Sequence, residues 1–144
     1  MSTGLASLNE IQRAYKVIKK YHNKIIILHC VSAYPTPIEE ANIERIDFLK
    51  KNFKNNLIGL SDHTNNILSS LTASAKRITV IEKHFKLKNI TSVDSEFSIN
   101  ESELNQLRSN IDCIEDQITK DIIGEVDKIY ILNKSMLNPS NWIK

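Results

Sequence analysis

The run Lys24-Ile25-Ile26-Ile27-Leu28-His29 decides the fold, because four apolar residues follow one another with no polar residue between them. A strand with one wet face alternates polar and apolar residues; an unbroken β-branched run suits a strand covered on both faces, as in a parallel α/β sheet. Toward the amino end, Ser7-Leu8-Asn9-Glu10 has capping-box spacing, and Leu8, Ile11, Tyr15 and Ile18 follow at helical intervals. Toward the carboxyl end, a loop holding Pro35 and Pro37 leads to Asn42, read as the N-cap of a helix marked by Ile43, Ile46, Leu49 and Phe53. The unit then recurs. Leu57-Ile58-Gly59-Leu60 is a second short buried strand, Ile67, Leu68, Leu71 and Ala75 outline a third helix, and Ile78-Thr79-Val80-Ile81 is a third strand. Asn100-Glu101-Ser102-Glu103 caps a last helix carrying Leu104, Leu107, Ile111, Ile114 and Ile118. From Asp121 the pattern allows a strand around Tyr130, an irregular docking segment or a disordered end. Residues 1–120 are therefore expected to form one partial domain and 121–144 a tail.

Strand, loop and helix alternate, which predicts a parallel sheet with right-handed crossovers. Three strands alone would leave two open edges, so the chain reads as a piece of a larger fold. Its 144 residues, 41% hydrophobic and 25% charged, fit one domain or part of one. A net charge of +2, spread along the chain, gives no electrostatic case for nucleic acid or an anionic membrane. Cys30 and Cys113 lack CxxC spacing and suit reduced thiols. No apolar run approaches membrane-spanning length, and the first residues lack a basic stretch followed by an apolar one. The expectation from these features is a soluble cytoplasmic protein.

In parallel α/β folds functional groups gather at the carboxyl ends of the strands. The first strand leads into His29, Ser32 and Tyr34, the second into Ser61, Asp62 and His63, the third into Glu82, Lys83, His84 and Phe85. Two neutral imidazoles from neighbouring strand ends can converge on one divalent ion, and His63 and His84 fit that description. The plainer alternative stands beside it: each histidine as a hydrogen-bonded structural residue, Tyr34 as a loop anchor, Asp94 as a polar loop residue, Ser61 as a partner for backbone groups. Glu82, in an apolar run, needs a partner, which Lys83 or an arginine would supply without any catalysis.

Four ordered stretches go further. Ser2-Thr3-Gly4-Leu5-Ala6-Ser7, His29-Cys30-Val31-Ser32-Ala33-Tyr34-Pro35-Thr36-Pro37, Gly59-Leu60-Ser61-Asp62-His63-Thr64 and Glu82-Lys83-His84-Phe85 resemble the second-half motifs of the N-acetylneuraminate (sialic acid) synthase family. Ser32-Ala33-Tyr34-Pro35, Ile38-Glu39-Glu40-Ala41-Asn42 and Val93-Asp94-Ser95-Glu96-Phe97-Ser98 look most like its pseudaminic acid synthase branch. The resemblance implies the second half of a (β/α)8 TIM barrel, with Ser2-Thr3-Gly4 closing strand 5 and the rest supplying strands 6 to 8. It implies that His63 and His84 hold a divalent metal, manganese first, with magnesium or cobalt as alternatives. Ser61 would help bind phosphoenolpyruvate, and Ser32 stands where some members carry an asparagine that touches it. Tyr34 and Asp94 would lie against the sugar substrate as the catalytic pair, although the loop between Phe85 and Asp94 lacks the glycine and proline of many relatives.

The implied chemistry is carbon–carbon bond formation. Phosphoenolpyruvate carbon attacks the aldehyde of an N-acylated amino sugar, of the ManNAc type or a 2,4-diacetamido hexose. Water adds to the resulting cation, phosphate leaves and a nonulosonic acid forms. The family also draws a lysine and a glutamate from the first four strands, and an arginine from a small antifreeze-like domain after the barrel; neither region is present in this sequence. The expectation is therefore little or no synthase activity for the chain alone, and a need for a first-half barrel chain or a homo-oligomer. A non-catalytic remnant, or an interaction domain needing a partner half-barrel, is the alternative.

Overall fold

The computed structural model describes residues 1–119 and 130–133. Helix α1 (Leu8–Lys19) opens with the capping box expected: Glu10 N–H donates to Ser7 Oγ at 3.4 Å, and Ser7 N–H donates to Glu10 Oε2 at 2.8 Å. Strand β1 (Ile26–Cys30) follows, then α2 (Arg45–Asn52), β2 (Leu57–Asp62), α3 (Leu68–Ala75), β3 (Val80–Lys83), α4 (Glu101–Thr119) and β4 (Tyr130–Asn133). All four strands are parallel, in the spatial order β1-β2-β3-β4. Chain order equals spatial order, the arrangement of one wall of an α/β barrel. Met1 O accepts from Leu28 N–H at 2.9 Å and Thr3 N–H donates to Leu28 O at 3.0 Å, so the first residues run parallel to β1 as a strand stub.

Three details differ from the sequence pattern. Asn42 is not an N-cap: it sits at φ 45°, its carbonyl accepts from Arg45 N–H, and α2 begins three residues later. Strand β2 runs two residues beyond Leu60, through Ser61 and Asp62, because these polar residues still pair with Glu82 and Lys83. Strand β3 starts at Val80 rather than Ile78, after Arg77 at φ 55°, and extends to Lys83. Of the tail, residues 130–133 supply β4 against β3; residues 120–129 and 134–144 lie outside the described residues.

The two faces of the sheet differ. Ile27, Ile58, Leu60 and Ile81 point to the helices and pack with Ile11, Ile46, Leu49, Ala73, Leu107 and Ile111 in the core. Ile26, Leu28, Val80 and Glu82 point the other way and, with Met1, line an open cavity of about 790 Å³. Period-two alternation makes the division, and Gly59 belongs to the open face. A Cβ at Gly59 would lie 2.5 Å from Val80 O and 2.6 Å from Leu28 Cδ2, so only glycine lets β2 and its neighbours approach there.

Candidate active site

The site grows from the carboxyl ends of β1, β2 and β3. Because β2 runs through Asp62, its alternation turns Ser61 to the open face and Asp62 to the helices, while His63 follows as the strand ends. His63 is 3% exposed; its Nδ1–H donates to Val31 O at 2.9 Å, and its Nε2 lies 3.4 Å from Ser61 Oγ. His84 follows β3 and turns Nδ1 toward Asp94 Oδ2, 3.4 Å away. The two ring centres are 5.4 Å apart, with planes inclined at 59°.

Tyr34 stands over this pair, 4.1 Å from the His63 ring centre and 6.3 Å from that of His84. Phe97 closes the cluster edge-on, 4.7 Å from His84 and 5.3 Å from Tyr34. Sequence reasoning gave Phe97 no role; its signal was its place three residues after Asp94 in Val93-Asp94-Ser95-Glu96-Phe97-Ser98. The tertiary fold thus gathers His63, His84, Tyr34 and Asp94. Ser61 and Ser32 line a cavity of about 410 Å³ together with Cys30, Tyr34, His63 and Glu82. No lysine or arginine lines it among the described residues.

His29 is excluded from the site. It points to the helix side, 1% exposed, and its Nε2–H donates to Ala41 O at 2.8 Å. Glu82 finds its partner in Ser61, whose hydroxyl donates to Oε1 at 2.7 Å, and Lys83 pairs with Asp62 on the opposite face. Burial pushes the Cys30 thiol up and the Lys83 ammonium down, the latter against the pull of Asp62. Burial also raises the Tyr34 phenol, helped by the negative charge of its neighbours Glu82 and Asp94, so it stays a donor at neutral pH.

The histidines suit a divalent ion in their donor chemistry. A metal-binding imidazole commonly donates its other N–H to a carbonyl or carboxylate, which fixes the tautomer and aims the lone pair. Val31 O does this for His63 and Asp94 is placed to do it for His84. An ion about 2.1 Å from each ring nitrogen would set the ring centres roughly 5 Å apart, close to the spacing found. Among the described residues no three His, Cys, Asp or Glu side chains converge on one point.

A model of the NeuB family matches residues 1–122. The chain belongs to the NeuB family. Within it, the N,N'-diacetyllegionaminic acid synthase of Campylobacter jejuni is 40% identical, over 95% of this chain and 43% of that relative. A pseudaminic acid synthase of Campylobacter jejuni is 42% identical, over 79% of this chain and 33% of that relative. The two names match at nearly equal identity, which sets the chain in the NeuB family without separating the two sugars. The crystal structure of the N-acetylneuraminic acid synthetase of Leptospira borgpetersenii, in complex with citrate, superposes with a TM-score of 0.79 at 34% identity, covering 86% of this chain and 44% of that one. This chain therefore spans less than half the length of the NeuB relatives it matches. The expected fold, a parallel α/β wall from a barrel of the sialic acid synthase type, is the one found.

Proposed function

We propose that this chain supplies one side of the active site of a synthase that joins phosphoenolpyruvate to an N-acylated amino sugar, giving a nonulosonic acid and phosphate. The observation that carries the reading is the meeting of His63, His84, Tyr34 and Asp94 beyond the ends of β2 and β3 in a NeuB-family chain. His63 and His84 hold the divalent ion, manganese first, with magnesium or cobalt as alternatives. When bound, such an ion supplies Lewis acidity toward a sugar carbonyl. Tyr34 and Asp94 contact the sugar, Tyr34 donating its phenolic proton as a hydrogen bond and Asp94 accepting one. Ser61 and Ser32 face phosphoenolpyruvate in the cavity they share. The relatives' names favour a 2,4-diacetamido hexose over a ManNAc-type sugar.

Phosphoenolpyruvate is strongly anionic, and among the described residues the cavity offers it Glu82 and no lysine or arginine. Positive charge to meet it would come from the bound ion and from another barrel segment. The deciding experiment mixes this chain with the separately expressed first half and post-barrel domain of the Campylobacter jejuni legionaminic acid synthase and follows phosphate release with manganese and diacetamido sugar. Turnover is expected from the mixture, from neither half alone, and not with His63→Ala or His84→Ala. Turnover by this chain alone would contradict the proposal. A second reading, an interaction domain that needs a partner half-barrel without catalysis, is favoured by the open sheet face lined by Ile26, Leu28 and Val80. Stable association of the halves with no phosphate release would select it.

A further inference from the structure

Asp62 and Lys83 form an ion pair at 3.2 Å whose side chains are each 1% exposed. They are register partners in the β2–β3 ladder, and each immediately precedes one of the two site histidines. Asp62 is fully engaged: Oδ1 accepts from Thr64 N–H at 2.9 Å and Thr64 Oγ at 2.8 Å, and Oδ2 accepts from Ser70 Oγ at 2.6 Å. Lys83 Nζ donates to Thr64 O as well. Thr64, directly after His63, is thus held at its N–H, its hydroxyl and its carbonyl by one pair of charges.

A buried ion pair contributes little to stability over a well-packed apolar pair of equal volume, so its presence calls for another role. Its position supplies one. The pair ties the two strands together one residue before each imidazole, on the helix side, and anchors the chain one residue beyond His63. We propose that the Asp62–Lys83 pair is a positioning brace that sets the spacing and orientation of the His63 and His84 rings. Neither residue lines the cavity that holds Ser32 and Ser61. It rests on the two-histidine reading only for its purpose; its effect on ring placement is independent of any ion.

The test is NMR of the full chain without metal, reading ring-to-ring NOEs within the Tyr34, His63, His84 and Phe97 cluster and the imidazole nitrogen shifts. D62N/K83M retains an acceptor toward Thr64 and cuts the cross-strand tie. The expected result is loss of the His63-to-His84 NOEs with the amides of β2 and β3 still protected from exchange, and their retention in Lys83→Arg, which keeps the charge and a donor. Unchanged NOEs and shifts in D62N/K83M would overturn the brace. Should that variant not fold, Ser70→Ala, which removes one hydrogen bond to Asp62, must still move the signals of both histidines; a shift confined to α3 overturns the proposal equally. A manganese titration of the wild type against H63A/H84A judges the two-histidine reading separately. Where the wild type binds, D62N/K83M is expected to bind at least about tenfold more weakly.

Discussion

His84 Nδ1 lies 3.4 Å from Asp94 Oδ2, across nine intervening residues, while His84 itself is fixed directly after the end of β3. Besides the sugar contact proposed for it, Asp94 is placed by this contact to hold the ring so that Nε2 carries the lone pair. Asp94→Asn weakens that hold without removing a ligand. Manganese affinity is expected to fall about 10- to 100-fold, with little change in the thermal midpoint of the metal-free protein, because Asp94 is exposed. Calorimetric titration checks this, and equal affinity would show that Asp94 does not hold the His84 ring for a metal.

Gly59→Ala sets a methyl group against Val80 O and Leu28 in the middle of the sheet. The obstacle at Val80 is backbone, which cannot swing aside, so β2 and β3 must separate. The expected cost is about 1–3 kcal/mol, read as a lower midpoint in thermal or urea unfolding. An unchanged midpoint would mean that the strands are not packed as described.

Burial holds the His29 imidazole below its ordinary value, against a smaller upward pull from its hydrogen bond to Ala41 O. As pH falls, the unfolded chain takes up this proton first, near the ordinary value of about 6.5. The stability His29 contributes is therefore complete above that value and is lost as pH falls toward the lower native value. His29→Gln keeps a donor toward Ala41 O and removes the titration. The loss of stability between roughly pH 7 and 5 is expected to be shallower in the variant, by at most about 1.4 kcal/mol per pH unit. Urea unfolding across that range checks it; parallel curves would refute the assignment.

Cys30 is buried beneath the site, 3.9 Å from His63 Nδ1, and Cys113 is exposed on α4. Only the thiolate reacts, and burial raises the Cys30 thiol. A thiol reagent at neutral pH is expected to modify one cysteine quickly, mapped to Cys113 by peptide mass, and Cys30 only after unfolding. Fast labelling of Cys30 in the native chain would indicate that the strand end opens.

Much of this was legible in the residues. The unbroken apolar run at Ile25 to Leu28 specified a parallel strand, although among the described residues helices cover only its Ile27 face and Ile26 and Leu28 line the open cavity; the Ser7 and Asn100 caps marked helix starts that the structure keeps, and the motif around His63 named the family. The boundaries that shifted are polar ones. Ser61, Asp62, Glu82 and Lys83 carry no apolar signal, yet they continue the ladder because parallel backbone pairing does not depend on side-chain polarity. Asn42 looked like a cap, and the backbone uses it instead in the left-handed region, which asparagine tolerates better than most residues.

The sequence by itself determined the alternation of strands and helices, and with it the parallel sheet and the set of chemical groups at the strand ends. Those follow from hydrophobic period and local capping, which are properties of neighbours in the chain. Only the tertiary structure decided which face each group takes: His29 toward the helices, Ser61 and Glu82 toward the cavity, Lys83 to Asp62 rather than to Glu82. A change of one residue in register reverses every side chain of a strand, and register is fixed by packing between distant segments. The approach of Asp94 to His84 and of Phe97 to both His84 and Tyr34 has the same origin, for it depends on how a loop folds back over the sheet.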